Sequence, residues 1–132
     1  MIDGFKRLES TPHLDFGVDE RRRLLLLVRH NTPDATAVEL ERALRGIQAL
    51  LEFPVGWSIL MDVRATVGRS DPEFERDAER FREYMLEHFE RVAVLVRSAV
   101  GKLQVQRFAD PHARMLVFRD LDEALAWLDA GD

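Results

Sequence analysis

The sequence predicts an α/β domain in which a mostly parallel sheet is covered by about four helices and has an N-terminal β-hairpin at one edge. Three observations support this prediction. Short runs of consecutive apolar residues, typical of strands covered on both faces, alternate with longer segments whose apolar residues recur every three or four positions. Strands that alternate with helices favour a parallel sheet. The chain has 132 residues and neither a linker nor a repeat, so we expect residues 1–132 to form a single domain.

The composition argues against several classes of function. Hydrophobic residues make up 46% of the chain, enough for a core, and the net charge of −5 argues against a nucleic-acid partner. Cysteine is absent and no histidine pair has metal-ligand spacing, so we expect no cofactor and no metal. The longest apolar run, Leu24–Val28, is too short to span a bilayer. The N-terminus also lacks a signal-peptide pattern, and the sequence therefore predicts a cytoplasmic protein without an integral membrane segment.

The first thirty residues predict the antiparallel edge of the sheet. Phe5–Leu8 and Leu14–Val18 are either one short strand in two pieces or two strands. Asp19–Glu20 predict a turn, and Arg21–Arg29 predict the next strand. The three arginines that begin this segment are expected to lie in a solvated hairpin tip.

Two helix–strand units follow. Thr32 and Pro33 fit a helix cap and a first helical position, and apolar residues continue at helical spacing until Pro54. Trp57–Asp62 then predicts a buried strand. The second helix begins at Ser70 or one residue later, its stripe runs to Phe89, and a third buried strand follows at Arg91–Val96.

The last third of the chain repeats the pattern. Ser98–Phe108 predicts a shorter helix, weakened by Gly101, and Arg114–Phe118 predicts the last strand. Asp120–Asp129 predicts a capped helix whose inward residues are Leu121, Ala124, Leu125 and Leu128.

Residues with catalytic potential are few. The sequence has no phosphate-binding glycine loop and no nucleophile elbow. His30 follows a buried strand at the end where α/β sheets bind ligands, although a structural role is the expected one. An enzymatic function would have to use His30, Asp62 and Ser70, which no spacing rule connects, so the sequence predicts that the protein is not an enzyme.

Asp62 and the residues up to Asp71 form the candidate functional site. Asp62 ends a buried strand, and Ser70 begins a helix whose backbone N–H groups and dipole would stabilise a phosphate. The alternative is that Ser70 only caps the helix, since capping serines are far commoner than regulatory ones. We take Ser70, Asp62 and Asp71 as a candidate phosphorylation or partner-binding site.

Three segments carry a family resemblance: Trp57–Asp62, Phe89–Val96 and Val117–Leu128, the last with a short strand, an acidic turn and an Ala-Leu-Ala-Trp-Leu helix. Together with the order of elements, they resemble the STAS domain, the fold of bacterial anti-sigma-factor antagonists. The resemblance is closest to its SpoIIAA-like branch of small stand-alone bacterial proteins. It covers nearly the whole chain, and its motifs are structural rather than catalytic.

The resemblance implies protein binding that is switched by phosphorylation. In the family, a partner kinase phosphorylates a serine in an Asp-Ser-Ser-Gly-like turn after the second buried strand, and Ser70 occupies a comparable place. The run Arg69-Ser70-Asp71-Pro72 lacks the paired serine and the glycine, and Asp71 and Glu73 would repel a phosphate. We therefore predict a non-catalytic STAS-like regulatory or interaction module with a degenerate phosphoswitch, which binds a protein partner or a second copy of itself.

The SpoIIAA-like branch is also similar in topology to the CRAL-TRIO lipid-carrier fold, which implies an alternative function. The protein would then carry or sense a lipid or other apolar small molecule in a cleft between a mobile helix and the sheet. The side chains suited to this cleft, which are equally typical of a plain core, are Phe74, Phe81, Tyr84, Met85 and Phe89. Trp127 lies off the inward stripe of the last helix, either as a boundary residue or as an aromatic at a partner or dimer interface.

Overall fold

The computed structural model describes residues 2–10, 13–30, 41–43, 45–46, 49, 56–65, 72–98 and 114–130, with the backbone alone at 72–75 and 77–78. The strands are β1 (Lys6–Ser10), β2 (Leu14–Asp19), β3 (Leu24–Arg29), β4 (Ser58–Asp62), β5 (Val92–Leu95) and β6 (Met115–Phe118). Helix α1 comprises the helical residues 41–43, 45–46 and 49, and it is followed by α2 (Pro72–His88) and α3 (Leu121–Asp129).

The six strands form one sheet in which spatial order equals chain order, from β1 to β6. β1, β2 and β3 pair antiparallel, whereas β3, β4, β5 and β6 pair parallel. The predicted α/β fold with a mostly parallel sheet and an antiparallel N-terminal edge is thus confirmed. Of the two alternatives for the N-terminal segment, the structure has two strands, with a register shift between Arg7 and Glu9 in β1.

The first face of the sheet, which we define as the face that α2 covers, contains the larger core. Right-handed crossovers between consecutive parallel strands place the connecting helices on one side of the sheet. Side chains of α2 pack there against alternate residues of β2 to β6. Buried residues that pack on this face include Phe16, Leu25, Ile59, Tyr84, Met85 and Val94.

The second face is covered by α3 and by residues that precede β1. Its buried residues come from the other strand positions and from α3, and they are Leu24, Leu26, Leu60, Ala93, Leu95, Ala124 and Leu128. Ile2 and Phe5 pack against this cluster while remaining partly exposed. Among the described residues, α3 contributes a helix of nine residues to this face, compared with the seventeen of α2 on the first face. Seven apolar residues packed against the second cluster are only partly buried.

Local signals account for most of the element boundaries. Asp120 caps α3, since its carboxylate accepts a hydrogen bond from the Glu123 N–H, and this confirms the predicted capped helix. Helix α2 begins at Pro72, a first helical position that proline favours. The arginines between β2 and β3 are exposed, as expected for a hairpin tip, and Arg23 has a left-handed φ of 56°.

Two predicted helices extend beyond the residues that the structure describes, so the prediction can be compared with the structure only in part. The segment that begins at Thr32 is helical wherever it is described between 41 and 49, and its start lies outside the described residues. The predicted helix Ser98–Phe108 lies outside them beyond Ser98. Within the described ranges, no helix has both the length and the apolar character needed to cross a bilayer.

Candidate functional site

A cleft opens on the second face, where β3 and β4 end. We call it the β3–β4 cleft. It has a volume of about 610 Å³ and is lined by Ile2, Asp3, Val28, Asp62, Arg64, Leu121, Asp122 and Leu125. Val28 and Asp62 are paired across the two parallel strands, and the start of α3 faces them. In α/β proteins, ligands commonly bind beyond the carboxyl ends of parallel strands, and this volume lies within the usual range of ligand pockets.

Asp62 and Arg64 form a clasp in this cleft. Asp62 is only 7% exposed. Its Oδ1 accepts hydrogen bonds from the Arg64 backbone N–H at 3.1 Å and from Nε at 2.9 Å, and its Oδ2 accepts one from Nη2 at 2.8 Å. This fork-to-fork geometry fixes the plane of the guanidinium, and the hydrogen bonds to Asp62 raise the pKa of Arg64. Because both Asp62 oxygens accept hydrogen bonds from Arg64, the carboxylate is neutralised by an internal partner.

The rim of the cleft is acidic. Asp3 and Asp122 are exposed, and neither takes part in an ion pair within the part of the chain that the structure describes. Ile2, Val28, Leu121 and Leu125 are half-buried and form the apolar part of the lining. As far as the structure describes it, the cleft thus combines an apolar wall, a buried carboxylate paired with Arg64 and two exposed carboxylates at the rim.

A second polar cluster lies on the same face, where β1 ends, β2 begins and β3 ends. Asp15 is 8% exposed and accepts a hydrogen bond from the Ser10 hydroxyl. His30 Nε2 lies 3.3 Å from Asp15 Oδ2, and an Arg7 guanidinium nitrogen lies 4.0 Å from the same oxygen. The hydrogen bond from Ser10, aided by the contacts with His30 and Arg7, lowers the pKa of Asp15 against the opposing effect of burial. Register explains the grouping, because Ser10 and Val28 flank Asp15 on the neighbouring strands.

This second cluster lacks the arrangement of a nucleophilic triad. In such a triad the histidine removes the proton of the serine hydroxyl, and the aspartate orients the histidine. Here the Ser10 hydroxyl donates to Asp15, and His30 contacts the same carboxylate. Both groups therefore stabilise the buried Asp15 charge, and the cluster ties β1 and the end of β3 to β2.

The sequence model of the SpoIIAA-like family matches residues 24–129, which include β3 to β6, α2 and α3. The chain belongs to the SpoIIAA-like family. Among solved structures, it resembles an uncharacterised protein of the DUF3478 family with a SpoIIAA-like fold from Shewanella loihica PV-4. The TM-score is 0.55 at 17% sequence identity, over 94% of this chain and 91% of the other, which establishes the shared fold. No curated protein matches the chain.

Of the three residues predicted to form the partner site of this SpoIIAA-like domain, the structure describes one, Asp62. Asp62 lies in the β3–β4 cleft, at the end of β4 as expected. Ser70 and Asp71 lie outside the described residues. Arg64 was not among the predicted site residues, and its signal in the sequence is an arginine two residues after an aspartate at a strand end.

The large side chains of α2, together with Phe89 directly after it, lie in the core of the first face. Phe81, Tyr84, Met85 and Phe89 are each 7% exposed or less, and all four belong to the cluster that joins α2 to the sheet. The side chain of Phe74 lies outside the described residues. The β3–β4 cleft lies on the opposite side of the sheet from these residues.

Trp127 occupies a boundary position on the second face. Its ring lies 5.7 Å from that of Phe118, and the Arg91 guanidinium carbon lies 4.9 Å from its centroid. Arg91 also donates a hydrogen bond of 2.6 Å to the Trp127 carbonyl at the end of α3. Despite these contacts, the Trp127 side chain is partly exposed.

Proposed function

We propose that this chain is a non-catalytic STAS-like regulatory module that binds a protein partner at the edge of the sheet where β3 and β4 end. The supporting observation is the β3–β4 cleft, with the Asp62–Arg64 clasp in its lining. A carboxylate that already accepts hydrogen bonds from a guanidinium is a poor base or nucleophile, which favours binding over catalysis in this cleft. The family resemblance points to the same edge, because it implies partner contacts after the second buried strand.

Site-specific photo-crosslinking tests this proposal. Glu123, beside the cleft in the first turn of α3, is replaced by benzoylphenylalanine in cells that naturally make the protein. Glu20, exposed at the hairpin tip near the other end of β3, provides a control with the same change of charge. We expect a crosslinked protein from position 123 and little product from position 20, and we expect Asp62→Asn to reduce the product from position 123.

Two further results of the same experiment bear on the proposal. A product of about twice the 15.3 kDa monomer mass would identify the partner as a second copy of the chain. Equal yields from the two positions, or a yield that Asp62→Asn leaves unchanged, would contradict binding at this edge.

The proposal also holds that the phosphoswitch is degenerate and that the module works in the cytoplasm. Arg69-Ser70-Asp71-Pro72 lacks the serine pair and glycine of the family motif, and Asp71 and Glu73 oppose an added phosphate. Ser70→Ala should therefore leave crosslinking from position 123 unchanged. If Ser70→Ala abolished the crosslinked product while protein stability was unchanged, Ser70 would belong to the partner surface. Detection of phosphorylated Ser70 in the natural host would contradict a degenerate phosphoswitch.

The second candidate function is a carrier or sensor of an apolar small molecule. The observation that favours it is the half-buried apolar wall of the β3–β4 cleft, rather than the α2 side chains that the sequence suggested. Native mass spectrometry of freshly purified protein, compared with a denatured sample, tests it. A mass excess that denaturation removes would support this function, and Leu125→Asp should then abolish the excess.

A further inference from the structure

We infer that the β3–β4 cleft recognises a basic side chain, an arginine or lysine of the partner protein that is flanked by an apolar residue. The inference rests on the proposed function and adds to it the chemistry of the segment that the cleft accepts. It follows from the charges that line the cleft, from the way the start of α3 is capped, and from the apolar wall.

The lining carries three carboxylates and one guanidinium. Asp62 and Arg64 neutralise each other through three hydrogen bonds of 2.8–3.1 Å. Asp3 and Asp122 remain at the rim, exposed and without an ion pair among the described residues. Among the described residues, the lining therefore has a net negative charge at its rim, which attracts a cation.

An anionic ligand is disfavoured by the same residues. The start of a helix normally attracts anions through its free N–H groups and its dipole. At the start of α3, the Asp120 carboxylate already accepts a hydrogen bond from the Glu123 N–H, and Asp122 and Glu123 place two further negative charges in the first turn. The positive end of the dipole is thus compensated by the chain itself, and the Arg64 charge is compensated by Asp62.

The apolar wall favours a basic side chain over a small inorganic cation. Ile2, Val28, Leu121 and Leu125 are half-buried and line the cleft beside the two rim carboxylates. Arginine and lysine carry a long hydrocarbon stem that covers apolar surface while the charged end remains at the polar rim. A cleft of about 610 Å³ also has room for an apolar neighbour of that side chain.

Three blocked tripeptides test the inference: acetyl-Leu-Arg-Leu-amide, acetyl-Leu-Gln-Leu-amide and acetyl-Leu-Glu-Leu-amide. They are titrated into the ¹⁵N-labelled full chain while the amide signals of Val28, Arg64 and Leu125 are followed by NMR. We expect the arginine peptide to bind roughly three to five times more tightly than the glutamine peptide, as rim charges usually contribute, and the glutamate peptide to bind most weakly. The preference should decrease at high salt.

Two double variants show whether the carboxylates of Asp3 and Asp122 cause the preference for the arginine peptide. Asp3→Asn with Asp122→Asn should remove the advantage of the arginine peptide over the glutamine peptide. Glu83→Gln with Glu87→Gln alters exposed carboxylates of α2. It changes the net charge by the same amount and should retain the advantage.

The outcomes separate this inference from the proposed function. Equal binding of the three peptides in the cleft, tighter binding of the glutamate peptide, or a preference that survives the rim variant would overturn the basic-side-chain inference and leave the cleft as the partner site. Shifts confined to other surfaces, or no shifts with any peptide, would overturn it as well. The proposed function is then judged separately by crosslinking from position 123.

Discussion

The two faces of the sheet differ in how completely they are covered. Among the described residues, the core of the first face contains seventeen buried residues and only four partly buried apolar residues beside them. The core of the second face contains seven buried residues and seven partly buried ones. The first face includes buried aromatic side chains such as Phe16 and Tyr84, whereas the fully covered part of the second consists of leucine and alanine.

Several polar features lie together on the second face, whereas the buried Glu41 of α1 pairs with Arg45 and with Arg80 of α2. The Asp62–Arg64 clasp, the buried Asp15 and the β3–β4 cleft all lie on the second face. Burying apolar area contributes most of the free energy of folding, so the thick first core stabilises the fold. The thinner second layer leaves room for polar side chains and a cleft. Under the proposed function, stability and recognition lie on opposite sides of one sheet.

The largest expected effect separates the two faces directly. Phe16 is fully buried on the first face, and Phe16→Ala should lower the free energy of unfolding by about 3–5 kcal/mol. Leu125 is half-buried in the cleft, and Leu125→Ala should cost only about 1 kcal/mol because less area and little cavity are involved. Urea denaturation followed by circular dichroism measures both. Similar losses would mean that the second face contributes to stability as much as the first.

The second prediction concerns the Asp62–Arg64 clasp, a polar feature of the second face. Arg64→Ala removes the guanidinium and leaves the buried Asp62 carboxylate with the hydrogen bond from the residue 64 backbone N–H, and it should lower the free energy of unfolding by about 2 kcal/mol. This is less than for a fully buried pair, because the Arg64 side chain is 43% exposed and water replaces part of the interaction. The double variant Arg64→Ala with Asp62→Asn should recover part of the loss. A double variant less stable than Arg64→Ala would show that Asp62 has a further stabilising contact.

The Asp15 cluster gives a test that depends on pH. Ser10→Ala removes the main contact that lowers the pKa of Asp15, and at pH 7 it should cost about 1.5 kcal/mol. A carboxylate with a lowered pKa in the folded state stabilises the protein above its ordinary pKa, and this contribution is lost as the pH falls through the lowered value. The difference between wild type and variant should therefore be full at neutral pH and shrink below about pH 4.

Ser10→Thr is the matched control, since it keeps the hydroxyl and should retain the pH dependence of the wild type. Urea denaturation at several pH values provides the measurement. A Ser10→Ala loss that is constant between pH 7 and pH 3 would assign it to packing instead of the Asp15 charge.

The smallest expected effect concerns the cap of α3. Asp120→Ala removes the acceptor of the Glu123 N–H and should cost about 1 kcal/mol, while Asp120→Asn, which also caps helices, should cost much less. If α3 mainly covers the second face, Asp120→Ala should change the side-chain methyl NMR signals of Leu26 and Leu60 more than those of Ile59, because these side chains lie on opposite faces of the sheet. Equal changes on both faces would mean that loosening α3 disturbs both cores.

The parts of the fold with local signals were predicted from the sequence. The apolar run Leu24–Val28 became the centre of the sheet, and Asp120 became a helix cap, because each depends on a few adjacent residues. The contact between Asp15 and His30 was not predicted, since it depends on the register of three strands. The cleft was missed for the same reason, because Ile2 and Leu125 lie at opposite ends of the sequence and meet only in the folded sheet.

The equality of strand order and chain order bears on how the protein is synthesised. A ribosome delivers each strand next to the neighbour with which it pairs, so the nascent sheet grows at one edge and needs no gap to be filled later. Pairing each strand with the one that precedes it closes a shorter loop, and so costs less chain entropy, than pairing it with a more distant strand. Helix α3 emerges after all six strands, and until then Leu24, Leu26 and Leu60 lack their cover. We expect the second face to be the surface that a chaperone meets on the growing chain.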